Sequence, residues 1–247
     1  MNPATPRETL IVTVARLLKG VGHVAVGAAS PIPAAGAMLL RAVRERDHAP
    51  PLRISILGSA RDNSFTNGSA ELFDCAAQGR IDAFFLGGGQ IDGAGNINLV
   101  GAGGYPQGEV RWPGSFGSGF LAFVVPRIIL FREEHSRRVL VERVDFISAT
   151  GTSRPEVFRT GWPCALLTGL ALFSFDRGRG RFRLESVHPG SSREEVRDRT
   201  GFAFDKAEET PMTAPPDAET LGLLRGRIRA ELAETYPDFA EAMRAAG

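Results

Sequence analysis

Cysteine is scarce: Cys75 and Cys164 are the two in 247 residues, far apart and without C-x-x-C or Cys/His spacing. That excludes a disulfide framework and leaves buried free thiols in a reducing compartment as the expectation. The four histidines, His23, His48, His135 and His188, share no ligand spacing, so no metal site is expected. Charge of one sign is missing as well. Lys and Arg total 29 against 28 Asp and Glu, a net +1, which leaves no electrostatic footprint for nucleic acid or an anionic membrane. No apolar run reaches the ~18 residues of a membrane span, and Met1 to Arg7 lacks the order of a signal peptide. A cytoplasmic location is therefore expected. Also absent are a G-x-S-x-G elbow, an H-E-x-x-H motif, a Walker loop and a dinucleotide fingerprint. With 43% hydrophobic and 23% charged residues, the chain reads as globular, long enough for a real core.

The chain alternates strand and helix patterns. Thr5, Pro6 and Glu8 predict a capped helix start, Leu10, Ile11, Val14, Leu17 and Leu18 its apolar face, and Gly20 its end. His23–Gly27, Arg53–Leu57 and Asp82–Leu86 read as strands. A helix beginning at Pro33 and carrying Met38, Leu39 and Val43 is expected, and a third capped by Ser69, holding Leu72, Phe73 and Ala76 and stopping at Gly79. Strands each followed by a helical pattern imply parallel βαβ units. Further on, Ile128–Phe131, Val139–Val141 and Phe146–Ile147 read as strands, with Arg132–Arg138, including His135, as a solvated turn. Ala165–Phe175 and Arg181–Val187 predict a hairpin, Ser192 and Glu195 a capping box over Val196. A polar linker (205–217) precedes a last helix with Leu221, Leu224, Ile228 and Leu232. No repeat and no dividing linker is visible, so one α/β domain over residues 1–247 is expected, with an open, mostly parallel sheet and helices on both faces.

The expected site is residues 84–119. An apolar strand runs into Gly87-Gly88-Gly89-Gln90-Ile91-Asp92, a turn Gly93-Ala94-Gly95-Asn96 and then Ile97-Asn98; a second loop, Pro113-Gly114-Ser115-Phe116-Gly117-Ser118-Gly119, follows. Glycines there allow backbone N–H groups to approach a ligand. Gln90, Asn96, Asn98, Ser115 and Ser118 are neutral donors and acceptors, suited to holding a carbonyl or thioester oxygen rather than to moving a proton. The alternative is that 92–96 is simply a tight turn and that Gln90 braces the loops.

These residues carry a resemblance. The block from Gly87 to Asn98 resembles the Gly-Gly-Ala-Gln-(Ile/Val)-Asp-x-x-Gly-Asn-x-Asn pattern of the β subunit of family I CoA-transferases, the glutaconate CoA-transferase type, with Gly89 in place of the alanine. Pro113–Ser118 is similar to their Pro-Gly-Ser-Gly-Gly-Ala loop, with Phe116 in place of a small residue. The likeness extends to Val24–Pro31, Arg137–Ser148, His188-Pro189-Gly190 and Thr200-Gly201-Phe202. It implies a subunit that pairs with an α-type chain as a heterodimer or heterotetramer. No bound cofactor is implied; a coenzyme A thioester is the substrate. Gly88, Gly89, Gln90, Asn96, Asn98 and the Gly114–Ser118 loop would hold it, with Gly117 as the oxyanion N–H.

In such transferases a β-subunit glutamate after the second strand attacks the thioester. Here Leu57 stands at that position, and neither Asp62 nor Glu71 fits the motif. In lacking the glutamate, the chain is similar to a branch of two-subunit hydrolases that open steroid rings as CoA thioesters with an acidic residue of the α subunit. The resemblance thus implies hydrolysis or C–C cleavage of an acyl-CoA, with steroid degradation as one setting. A true CoA-transferase and a non-catalytic scaffold subunit are the alternatives.

Overall fold

The computed structural model describes residues 2–246. In chain order the elements are α1 (Pro6–Leu17), β1 (His23–Val26), α2 (Pro31–Arg46), β2 (Arg53–Ile56), α3 (Gly68–Ala77) and β3 (Ala83–Leu86). Four two-residue strands follow, β4 (Gln90–Ile91), β5 (Ile97–Asn98), β6 (Gly101–Ala102) and β7 (Val110–Arg111). Next come α4 (Ser118–Val124), β8 (Arg127–Arg132), β9 (Trp162–Thr168), β10 (Ala171–Asp176), β11 (Arg181–Val187), α5 (Arg193–Arg199) and β12 (Asp205–Lys206). The chain closes with α6 (Ala218–Leu223), a π turn (Leu224–Ile228), α7 (Arg229–Leu232) and α8 (Pro237–Ala246). Four of the neighbouring strand pairs described below are parallel and two antiparallel, an α/β fold with mostly parallel pairing.

The chain forms two compact units: one takes the residues up to Cys75, Arg80–Phe85 and the chain from Ala214 on, the other Ala76–Gly79 and Leu86–Thr213. Because the chain passes between them more than once, no single linker marks a boundary in the sequence.

In the first unit β1 lies between β2 and β3, parallel to both, with Val24 opposite Ile54 and Ala83. Helix α2 makes the crossover that a parallel β1–β2 pair requires. Its partner α1 begins as expected: Thr5 Oγ1 accepts from the Glu8 N–H and Glu8 Oε2 from the Thr5 N–H, while Leu10, Ile11 and Val14 are buried. The two helices approach so closely that a Cβ on Gly36 would stand 2.3 Å from the Val14 side chain. Leu221, Leu224, Ile228 and Leu232 are all buried, as their spacing predicts.

In the second unit the strand order is β12-β11-β10-β9-β8, with β8–β9 and β11–β12 parallel and the middle pairs antiparallel. Its core is aromatic: Phe173 and Phe182 are fully buried, lie 6.3 Å apart, and meet Phe175, Phe202 and Phe204 at centroid distances of 5.0–5.6 Å.

Several sequence expectations need correcting. Helix α2 starts at Pro31, two residues before Pro33, and α3 starts at Gly68, with Ser69 already inside it. Val139–Val141 and Phe146–Ile147 are not strands; Leu140 makes only an isolated bridge to Ile91. Val139 and Leu140 serve core burial rather than a ladder, whereas Ile147 is exposed. Ala165–Phe175 is two strands, broken where the Gly169 N–H reaches Glu133 O. The linker from 205 opens with β12, and α8 follows the helix expected to be last.

Candidate functional site

The glycine block folds as a hairpin in the second unit, with Gln90 opposite Asn98 and Ile91 opposite Ile97. Its tip is fixed by Asp92, whose Oδ1 accepts from the Ala94 and Asn96 N–H groups and whose Oδ2 accepts from Asn96 Nδ2. Gly95 takes φ +75°, which a larger residue would resist. Asn96 Oδ1 in turn accepts from Thr150 Oγ1 and the Gly151 N–H. At the base, Asn98 Nδ2 donates to Gln90 Oε1 (2.7 Å) and to Gly101 O, while Gln90 Nε2 donates to Asp145 Oδ2 (2.8 Å). The Asp145 N–H returns to Gln90 Oε1, and Asp145 Oδ2 also accepts from the Gly103 N–H. Gln90 and Asn98 are therefore joined with Asp145 at the hairpin base, and Asn96 with Asp92 at its tip, so that the three amides brace the surrounding loops. A ligand would meet the backbone they position.

Gly88 and Gly89 are needed for different reasons. A Cβ on Gly88 would lie 2.6 Å from Gln90 O, and one on Gly89 would lie 2.3 Å from the Trp112 ring. The glycine that departs from the family's alanine is thus explained by packing: Trp112 fills the volume of the missing methyl.

The second loop is built differently. The Gly114 N–H bonds Leu99 O, and Gly114 takes φ +106° with open space where a side chain would begin. Phe116 holds φ +45° and is 77% exposed. A bulky residue in the left-handed region is strained, and such strain collects at functional sites. Gly117 caps α4, in the turn where helical N–H groups lack internal partners. The Ser118 N–H bonds Ser115 O, but the Ser118 hydroxyl is buried and has no hydrogen-bond partner. The exposed large apolar residues Tyr105, Phe116, Phe120, Ile147 and Phe158 all belong to loops and helix ends of this unit.

The buried histidines serve the core rather than these loops. His135, expected in an exposed turn, is buried (5% exposed), with Nδ1 2.7 Å from Thr168 Oγ1 and Nε2 3.0 Å from Thr200 Oγ1. Burial pushes its pKa down to about 4. His188 is buried between Thr213 Oγ1 and Thr168 O; the carbonyl can only accept, so Nε2 carries the proton. Burial lowers its pKa also. His23 is the satisfied core residue expected, between Arg80 O and Ser55 Oγ. Burial raises the Cys164 thiol to about 11. Among the described residues no His, Cys, Asp or Glu cluster could hold a metal ion, and no helix is long and apolar enough to cross a membrane.

Sequence reasoning missed Arg159. It is 5% exposed, lies over the rings of Phe123 (4.6 Å) and Trp162 (4.4 Å), and has no carboxylate among its bonding partners. Its donors reach the carbonyls of Ala122, Thr150 and Gly161 and the Ser153 hydroxyl, tying α4 to the loop that holds Asn96. Burial, with Arg177 nearby, pulls its pKa down to about 10. A lone arginine in a polar stretch gives no signal of this.

Leu57 belongs to the first unit and directly follows β2, its N–H on Val26 O. The nearby carboxylates are bonded locally, although Asp62 Oδ2 is buried without a hydrogen-bond partner. Asp62 pairs with Arg41 at 2.7 Å, and Glu71 accepts from Thr66 and the Asn67 N–H. From the C-terminal segment, Glu234 accepts from Ser59 Oγ and the Ala60 N–H, both at 2.8 Å.

The sequence profile described as Coenzyme A transferase matches residues 55–199. The chain belongs to the coenzyme A transferase family. It is a β-type chain of family I, as the central loops led us to expect. It is 35% identical to the β-type subunit of the 3-oxoadipate CoA-transferase of Pseudomonas knackmussii over 60% of this chain, a match that spans 58% of that relative's length. Against the cholesterol ring-cleaving hydrolase IpdB subunit of Rhodococcus jostii it is 26% identical, over 91% of this chain and 92% of the relative. Among solved structures, the decarboxylase AibA/AibB matches with a TM-score of 0.75 and 29% identity, over 92% of this chain and 98% of that one. The proteins this chain resembles thus include a transferase, a decarboxylase and a hydrolase, so family membership alone does not fix the reaction.

Proposed function

We propose that this chain is the β subunit of a two-subunit enzyme, a heterodimer or heterotetramer, that acts on an acyl-CoA thioester by hydrolysis or C–C cleavage. What supports this reading is the sequence resemblance, which aligns Leu57 after β2 with the transferase glutamate, while Asp62 Oδ1 and Glu71 are held in local bonds. A hydrocarbon side chain cannot attack a thioester, so the catalytic carboxylate comes from the α-type partner. This chain supplies shape and dipoles: backbone at Gly88 and Gly89 with Gln90, Asn96 and Asn98 behind it, and the Gly114–Ser118 loop. The Gly117 N–H takes the thioester oxygen as charge develops. The exposed apolar residues around these loops suit a surface that a partner covers. The hydrolase and decarboxylase relatives, aligned over nearly their whole length, favour this reading. A cytoplasmic acyl-CoA pathway, steroid breakdown among the options, is the setting it fits.

The second reading, a true CoA-transferase, is favoured by the transferase relative and by Glu234 beside the loop after Leu57. One experiment separates them. The chain is co-purified with its α-type partner and given a panel of acyl-CoAs, with free thiol, carbon dioxide and acceptor-CoA followed together. Thiol or carbon dioxide released without an added acid supports the first reading. Acceptor-dependent exchange, with a hydroxylamine-sensitive adduct on Glu234, overturns it.

A further inference from the structure

A cavity of about 190 Å³ opens in the second unit between α5 and the edge formed by β11 and β12, away from the amide lattice of the hairpin base. Its floor is Leu184, Phe202 and Phe204. That floor is rigid: Phe202 packs on Phe182 at 5.6 Å, and Phe204 stands edge-on to the buried Phe173 at 5.2 Å. Its rim is basic. Arg193 and Arg197, four apart and so on one face of α5, stand with Lys206 of β12 around the opening. Glu194 is the one acidic residue in the lining. Arg193 Nη1 donates to a carbonyl, that of Glu208, and Arg197 has Asp198 at 3.3 Å on the exposed side, so neither cation is neutralised by a buried carboxylate.

We propose that this cavity is a binding site for an organic anion, a phosphate or carboxylate carried on a flat apolar body. The body lies on the phenylalanine floor, and the anionic end meets the two arginines and the lysine. Arginine forks bind phosphate and carboxylate oxygens with directed, charge-assisted bonds. The volume is below that of a drug-sized pocket, so it takes a small molecule or one end of a larger one. The same chemistry is offered by the nucleotide end of a coenzyme A thioester and by a free aromatic acid. The inference does not rest on the reaction proposed above. Phe202 also links the cavity to the hairpin, since its Cβ stands 3.0 Å from where a Cβ on Gly93 would be.

The test is equilibrium binding to the full chain with its partner, using adenosine bisphosphate, benzoate and inorganic phosphate as separate probes. Arg197→Glu and Lys206→Glu are compared with the wild type; both are exposed and should leave folding intact. The proposal expects one of the organic probes to bind, to lose roughly tenfold in affinity with each charge reversal, and to weaken as salt is raised. Binding of the bisphosphate alone assigns the nucleotide source, and binding of benzoate alone assigns the free acid. If neither organic probe binds, if both variants bind like the wild type, or if inorganic phosphate binds as well as either, the proposal falls. Acyl-CoA turnover measured in parallel is a separate readout, so failure here leaves the reaction assignment standing.

Discussion

The two units handle buried charge in opposite ways. In the first, it meets opposite charge. Arg225 holds the buried Glu8 with two bonds at 2.7 and 2.9 Å, and Arg41 bridges Asp62 and Glu231 at 2.7 and 3.0 Å. In the second, buried charge meets neutral dipoles: Asp92 is held by N–H groups and an amide, Arg159 by carbonyls and a hydroxyl. Ion pairs join segments far apart in the chain, as Glu8 and Arg225 are. Dipoles fix loops without a long-range ion pair, an environment that suits the reaction proposed above.

The contrast is broken most directly at Arg159. Arg159→Ala strands three carbonyls and should cost about 4 kcal/mol in urea unfolding; a loss below about 1 kcal/mol would show the dipole cage to be dispensable. Acid is the next lever. The His135 imidazole takes up its proton near pH 6.5 in the unfolded chain but near 4 when folded. The unfolded state therefore binds more protons in that window, and stability falls as pH drops from about 6.5 to about 4, by about 3 kcal/mol. His188 and His23 shift in the same direction, His23 in the first unit. Burial alone would raise Glu8, but its bonds to Arg225 and Thr5 outweigh it and hold the carboxyl low, so its contribution survives to more acid pH. His135→Gln should flatten the slope between pH 4 and 6.5; an unchanged slope would assign it to other groups. Gly89→Ala drives a methyl into Trp112 and should cost about 2 kcal/mol, largely restored in a double variant with Trp112→Leu. Smallest is Ser118→Ala. A buried hydroxyl without a partner contributes little to folding, so thermal stability should move by under about 0.5 kcal/mol, while turnover of the two-subunit complex drops if the hydroxyl meets the acyl group.

What could be read in advance follows from the range of the interactions. The Thr5–Glu8 box spans three residues and is plain in the sequence. So is the amide-rich hairpin, because turn chemistry is local. His135 looks like part of a charged turn until Thr168 and Thr200, 33 and 65 residues on, close over it. Arg159 reads as a surface charge because its acceptors are carbonyls, which every residue has. Gly89 reads as a ligand-facing glycine until Trp112 is seen above it. The Val139–Val141 run has strand composition, but nothing in it says that one bridge to Ile91 is all the pairing it makes.

The first unit is closed by the last part of the chain: Arg225 returns to Glu8, and Glu234 to the loop after Leu57. A polypeptide leaving the ribosome must therefore hold that unit open while the whole of the other is synthesised, although domains otherwise tend to fold from the N-terminus. During that interval the face of α2 that packs on the Leu224–Ile228 turn is uncovered, open to chaperones and to other chains. A nonsense mutation between Thr213 and Arg225 would spare the glycine loops and still yield a chain whose earliest-made part lacks the contacts that close it.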